Sequence, residues 1–148
     1  MQCPLGAEAL RPALAALTGL QMLELSANAL GPAGAIFLSP ELSHFTNLTS
    51  LALNTNRLGR GEGPASLGSS LQPLTHLRFL DLSCNMLGVS GLLHLAPALQ
   101  SLPLTAVNLG MNALGYEGAQ VLSQLLEQLG RAGLQDLDVR GNELGAQG

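Results

Sequence analysis

The sequence has no tryptophan, and aromatic residues make up only 3% of it. Charged residues are also scarce, at 11%, and the net charge is −4. A 47% hydrophobic fraction with so few rings predicts a core that leucine fills. Few cations and an acidic balance argue against nucleic acid or an anionic membrane as a partner. No stretch reaches the roughly 18 uninterrupted apolar residues of a membrane span, so none is expected.

One pattern recurs five times, L-x-x-L-x-L-x-x-N-x-L, with one valine for leucine in each of the last two copies. The copies are Leu20 to Leu30, Leu48 to Leu58, Leu77 to Leu87, Leu104 to Leu114 and Leu134 to Leu144. Their asparagines follow one another at intervals of 27 to 30 residues. A fixed period of this length predicts stacked copies of one supersecondary unit. The alternation within each copy predicts strands near residues 22–26, 50–54, 79–83, 106–110 and 136–140.

A helix is expected after each strand. Gly34, Gly63, Gly91 and Gly118 each open a run of leucines at helical spacing. Pro12, Pro40 and Pro97 follow the repeat glycine by six residues, and an interior proline costs about 3 kcal/mol. The helices at these three prolines are therefore expected to start late or break, with Ser39 as an N-cap before Pro40. The segment Ala119 to Leu129 is expected to be uninterrupted.

The longer pattern L-x-x-L-x-L-x-x-N-x-L-G-x-x-G-A-x-x-L-x-x-x-L runs from Leu20 to Leu42 and from Leu104 to Leu126. It resembles the ribonuclease-inhibitor class of leucine-rich repeats, which also occurs in NOD-like receptors, the GTPase-activating protein of Ran and Tonsoku-like proteins. The resemblance covers nearly the whole chain. It implies an α/β solenoid, or horseshoe, with a parallel sheet on the concave side, helices on the convex side and protein binding as its use. Asparagine stands at all five turns, where ribonuclease inhibitor is rich in cysteine.

Residues 1–148 are interpreted as a single leucine-rich repeat array of about five repeats. Neither end has the polar cap that terminal repeats normally present, so a fragment of a longer array is expected, with end-to-end association as one outcome. Cys3 and Cys84 cannot form the flanking disulfide caps of extracellular repeat proteins, and we expect free thiols. The N-terminus also lacks the basic start of a secretion signal. An intracellular location, cytoplasmic or nuclear, is expected.

The outward positions of the strands and turns form the candidate protein-binding concave face. Two interpretations stay open, a binding stripe for a protein with a basic segment and a solvated face with incidental charges. The candidate residues are Met22, Glu24, Arg57, Phe79, Asp81, Met86, Asn108, Met111, Asp136, Asp138 and Arg140. The asparagines should form a structural ladder bonded to buried backbone, comprising Asn28, Asn56, Asn85, Asn112 and Asn142.

Residues suited to catalysis do not converge. His44, His76 and His94 fall in different layers, and no cysteines or histidines have zinc-ligand spacing. No catalytic, metal or cofactor site is expected, and no cofactor. Two function classes remain, a non-catalytic protein-interaction module and a structural or regulatory segment of a larger receptor or scaffold, with an enzyme a distant third.

Overall fold

The computed structural model describes residue 9 and residues 12–145 of the chain. Residues 12–15 are helical, and short strands then alternate with longer helices. The strands are β1 (Met22–Glu24), β2 (Ser50–Ala52), β3 (Phe79–Asp81), β4 (Ala106–Asn108) and β5 (Asp136–Asp138). The helices are α1 (Gly31–Leu42), α2 (Gly63–Leu71), α3 (Gly88–Ser101) and α4 (Gly115–Ala132). Within this part of the chain, no helix combines the length and apolar character needed to cross a membrane.

The five strands form one parallel sheet in chain order. Each strand begins at the expected residue but contains only three residues, so the expected bounds were two residues too long at the end. Beyond β1 the backbone still bonds to the next repeat, since the Leu25 and Ala27 amides donate to the Ala52 and Asn54 carbonyls, both at 2.9 Å. The Ser26 amide between them donates to the Glu24 side chain at 3.0 Å, where the turn begins.

The core lies between the sheet and the helices and is almost entirely leucine. The central residue of each inner strand is buried, as Leu51 and Leu80 illustrate, and the helices contribute residues such as Leu42 and Leu95. Successive helices contact one another in the same order as the strands. Packed helices need about 8–10 Å each and strands only about 4.8 Å, so the sheet occupies the inner, concave side of the curve.

The proline expectation was wrong. Helix α1 continues through Pro40 and helix α3 through Pro97. Ser39 is not an N-cap, since it lies inside α1 and its hydroxyl donates to the Ala35 carbonyl at 2.7 Å. A proline leaves the carbonyl four residues earlier without its usual donor. Those carbonyls belong to Ile36 and Leu93, two residues on the exposed side of their helices, and we expect water to take the place of the missing donor.

Pro12 is followed by helical residues, but positions 10 and 11 before it lie outside the described residues, so its effect on the helix is not defined. The expectation for Ala119 to Leu129 is confirmed, because the segment lies within the uninterrupted α4.

Three helices begin earlier than the leucine frame indicated. Helices α1, α3 and α4 start at Gly31, Gly88 and Gly115, three residues after the turn asparagine, and these glycines have positive φ. Helix α2 starts only at Gly63. In its repeat the corner glycine is Gly59, where a Cβ atom would lie 1.8 Å from the Met86 carbonyl oxygen. Close backbone approach, and not a left-handed conformation, requires glycine there.

Candidate protein-binding surface

Buried asparagines connect each repeat to the one before it. The Asn85 side-chain amide donates to the carbonyls of Leu53, Leu82 and Ser83 at 2.9, 3.0 and 3.1 Å. Its oxygen accepts from the backbone amides of Asn56 and Leu58 at 2.9 and 3.4 Å. Asn56 and Asn112 repeat this arrangement and, like Asn85, are fully buried. The predicted burial and backbone bonding of these three asparagines is confirmed.

The ladder differs at its two ends. Asn142 is also buried and donates to the carbonyls of Leu109 and Val139. Asn28 is exposed, and within the described residues its side chain donates to the carbonyls of its own turn, Leu25 and Ser26. The sheet between them is held in a fixed register, so the outward side chains have fixed relative positions.

The outward face of the sheet has two columns of side chains. Met22, Ser50, Phe79, Ala106 and Asp136 form the first column, and Glu24, Ala52, Asp81, Asn108 and Asp138 form the second. Neighbouring members of a column lie about 4.8 Å apart. Large apolar side chains remain exposed in the first column, with Met22 68% and Phe79 38% exposed. Ala52 has the outward position expected of it, but its small side chain is buried between its neighbours in the column.

The second column has a structural role that the sequence interpretation missed. Its side-chain oxygens accept a hydrogen bond from the backbone amide two residues later, at 2.9 to 3.0 Å. The pairs are Glu24 with Ser26, Asp81 with Ser83, Asn108 with Gly110 and Asp138 with Arg140. These carboxylates and the amide therefore close the turns after β1, β3, β4 and β5, whereas the Ala52 side chain at the end of β2 has no acceptor atom. The sequence does carry a signal for this role, because a side chain with an acceptor oxygen stands between the two inward-facing residues in four of the five repeats.

Asp138 has a second partner on this face. The Arg140 guanidinium contacts both carboxylate oxygens, with a shortest distance of 2.6 Å between Nη2 and Oδ2. The side-chain hydrogen bonds from Arg140, followed by that from its backbone amide, lower the pKa of Asp138 below its ordinary value. The same contact raises the pKa of Arg140. The negative charge of Asp138 is therefore balanced by the positive charge of Arg140.

Five of the candidate residues meet around one hollow of the sheet. Phe79, Asn108, Asp136, Asp138 and Arg140 line it, together with Ala106. A second hollow beside it is lined by Cys84, Met111 and Gly141, among others. Met22 and Glu24 are not part of this group, because β1 is separated from β3 by β2. Ala106 was not among the candidates, since an alanine carries no recognisable chemistry in sequence.

The turn residues beside the asparagines form an exposed edge to this face. Arg57, Met86 and Met111 have φ values of 60°, 58° and 55°, in the left-handed region. Met86 and Met111 are 52% and 63% exposed. Arg57 and Met86 each follow the turn asparagine and take the same position of the repeat, whereas Met111 precedes Asn112. Asp81 lies behind them in β3 and is half-buried.

Groups that could support catalysis remain separate. His44, His76 and His94 are exposed, and the rings of His76 and His94 bond to nearby backbone carbonyls. Cys84 is a free, half-buried thiol, and Cys3 lies outside the described residues. Among residues 9 and 12–145, no group of three or more His, Cys, Asp or Glu side chains could hold a metal ion.

Comparison with protein families supports the same architecture. Residues 74–96 and 100–123 match a family model described as Leucine Rich repeat. The chain is a leucine-rich repeat solenoid. The first matched segment begins after α2 and crosses β3 into α3, and the second begins at the end of α3 and crosses β4 into α4. No curated protein matches the sequence. Leucine-rich repeats are typical of protein-interaction modules, which directs attention to the outward face of the sheet.

Proposed function

We propose that this leucine-rich repeat solenoid is a non-catalytic module that binds a protein through the concave face of its sheet. The observation that carries the proposal is Phe79, a 38% exposed aromatic side chain at the centre of a rigid five-stranded sheet. Aromatic side chains are enriched among the residues that dominate binding energy, particularly where the surrounding backbone is already ordered.

The partner is proposed to carry a basic segment. Four carboxylates occupy the outward columns, on Glu24, Asp81, Asp136 and Asp138, and the chain as a whole has a net charge of −4. Arg140 adds a positive charge, but it is paired with Asp138. Complementary charge would raise the association rate and make the affinity sensitive to salt.

A matched pair of substitutions tests the proposal. A displayed library of random peptides is selected against the purified protein, and the enriched peptides are measured by calorimetry. Phe79→Arg should lower the affinity of these peptides at least about tenfold. It removes a central apolar contact and adds a positive charge that repels a basic segment. Ile36→Arg makes the same charge change at a 44% exposed helix position and should leave affinity unchanged. Peptides sensitive to Ile36→Arg and indifferent to Phe79→Arg would contradict concave-face binding.

We further propose that the repeats are of the ribonuclease-inhibitor class. The support is a full α-helix, from 9 to 18 residues long, after each of β1 to β4, together with the 27- to 30-residue period. An intracellular location is proposed from the free thiol of Cys84. Fluorescent tagging of the full chain in cells tests the location, and accumulation in the secretory pathway would contradict it.

A further inference from the structure

The hollow between β3 and β5 has a distinct wall on each side and a small residue between them. In the first column, Phe79 pairs with Ala106, and Ala106 pairs with Asp136. Phe79 and Asp136 therefore stand two strand spacings apart, about 10 Å, across an alanine. The methyl group of Ala106 leaves open the volume that a larger residue would fill, and all three residues line the hollow.

Asp136 differs from the other outward carboxylates. Glu24, Asp81 and Asp138 each accept a hydrogen bond from a backbone amide, whereas the Asp136 carboxylate has no hydrogen-bond or ion-pair partner within the described part of the chain. Its backbone amide is satisfied separately, by the Thr105 carbonyl at 3.0 Å. Turn closure therefore accounts for the other three carboxylates and leaves Asp136 free to interact with a ligand.

The cations nearest the hollow already have partners. Arg140 lines it, but its Nε and Nη2 atoms contact the Asp138 carboxylate. Arg78 precedes Phe79 and does not line the hollow, because its guanidinium donates to the Pro103 carbonyl at 2.7 Å. The uncompensated charge of the hollow is thus negative and lies on Asp136.

We propose that this hollow is a specificity pocket for one lysine or arginine side chain of the bound protein. The aliphatic stem lies over Ala106, the cationic group approaches the Phe79 ring face, and the Asp136 carboxylate pairs with it. At an exposed site a cation over an aromatic ring strengthens binding about two- to fivefold, and an exposed ion pair adds a similar factor. The pocket assignment rests on the proposed concave-face binding and names the residue type that such a partner must present.

The test uses a peptide selected as above and its analogue with norleucine at the basic position. Norleucine keeps a linear aliphatic side chain and removes the charge. We expect the replacement to weaken binding about tenfold. Asp136→Asn should weaken binding of the basic peptide and leave the affinity of the norleucine peptide unchanged. The effects of the protein substitution and the peptide substitution are then non-additive, as expected for two groups in contact. Glu127→Gln, which alters net charge equally on an exposed helix position, is the matched control and should affect neither peptide.

Ala106→Leu provides a test that leaves charge unchanged. A leucine at this position should fill the hollow and remove the preference for the basic peptide. Its folding is checked by the unfolding midpoint. Should the variant lose stability, the Asp136→Asn cycle alone decides the assignment.

Several outcomes would overturn the pocket. Selected peptides without a common basic position would do so, as would equal effects of Asp136→Asn on both peptides. A common acidic position sensitive to Arg140→Ala would assign the hollow to an anionic group instead. In each of these cases sensitivity to Phe79→Arg would still support concave-face binding. Loss of the proposed function itself is recognised separately, by indifference to Phe79→Arg.

Discussion

Truncating one inner asparagine should destabilise the solenoid far more than truncating the exposed one. In Asn85→Ala the amides of Asn56 and Leu58 lose their side-chain acceptor, and three carbonyls lose a donor. An unpaired buried polar group costs about 1–3 kcal/mol. The Leu58 contact is long, at 3.4 Å, and water can enter the vacated space, so the individual costs do not simply add. We expect a loss on the order of 3 kcal/mol.

Urea unfolding followed by far-ultraviolet circular dichroism measures this loss. With a slope of roughly 2 kcal/mol per molar urea, the midpoint should fall by about 1 to 2 M. The matched control is Asn28→Ala, because the Asn28 side chain is exposed and, within the described residues, donates to carbonyls of its own turn. It should cost less than about 1 kcal/mol. Equal midpoints for the two variants would refute the assignment of inter-repeat cohesion to the buried amide bonds.

Three further substitutions probe backbone and charge. Pro97→Ala should raise stability by about 1–2 kcal/mol in thermal unfolding, because it restores an N–H donor inside α3, and an unchanged melting temperature would contradict this. Gly59→Ala places a Cβ atom 1.8 Å from backbone and should cost several kcal/mol, whereas Gly19→Ala, with nothing within 4 Å, should be nearly neutral in the same assay. The lowered pKa of Asp138 contributes stability above the pKa that this carboxyl has in the unfolded chain, and that contribution is lost as pH falls through the lower folded pKa. In carboxyl-resolved NMR titrations Arg140→Ala should raise the Asp138 midpoint, and an unmoved midpoint would exclude Arg140 as the cause.

The repeat register was predictable from sequence because each structural role has its own residue at fixed spacing. Leu80 in β3 and Leu82 just after it define the inward side of the repeat, and the Asn85 side chain can satisfy donors and acceptors beneath the turn. Local propensity failed at Pro40, where α1 continues although the proline leaves one backbone hydrogen bond unmade. Propensity scales do not include the packing of a helix against its neighbours.

Side-chain partnerships on the concave face were less predictable. The sequence places Asp136 and Asp138 on the same face, but it does not distinguish a free carboxylate from one held by Arg140 and a backbone amide. That difference depends on the side-chain conformations that the turn selects. Likewise, Ala106 matters because its small side chain lies between Phe79 and Asp136 and leaves a hollow there. The sequence does not show this, since the three residues come from three different strands.

The most direct test of concave-face binding is an NMR map of a selected peptide bound to the isotope-labelled protein. Perturbed amide resonances should concentrate in β3, β4 and β5, with the largest changes near Phe79, Ala106 and Asp136. The exposed helix positions Ile36 and Leu93 should be little affected. Perturbations concentrated on the helices, with the strand resonances unmoved, would contradict binding through the sheet.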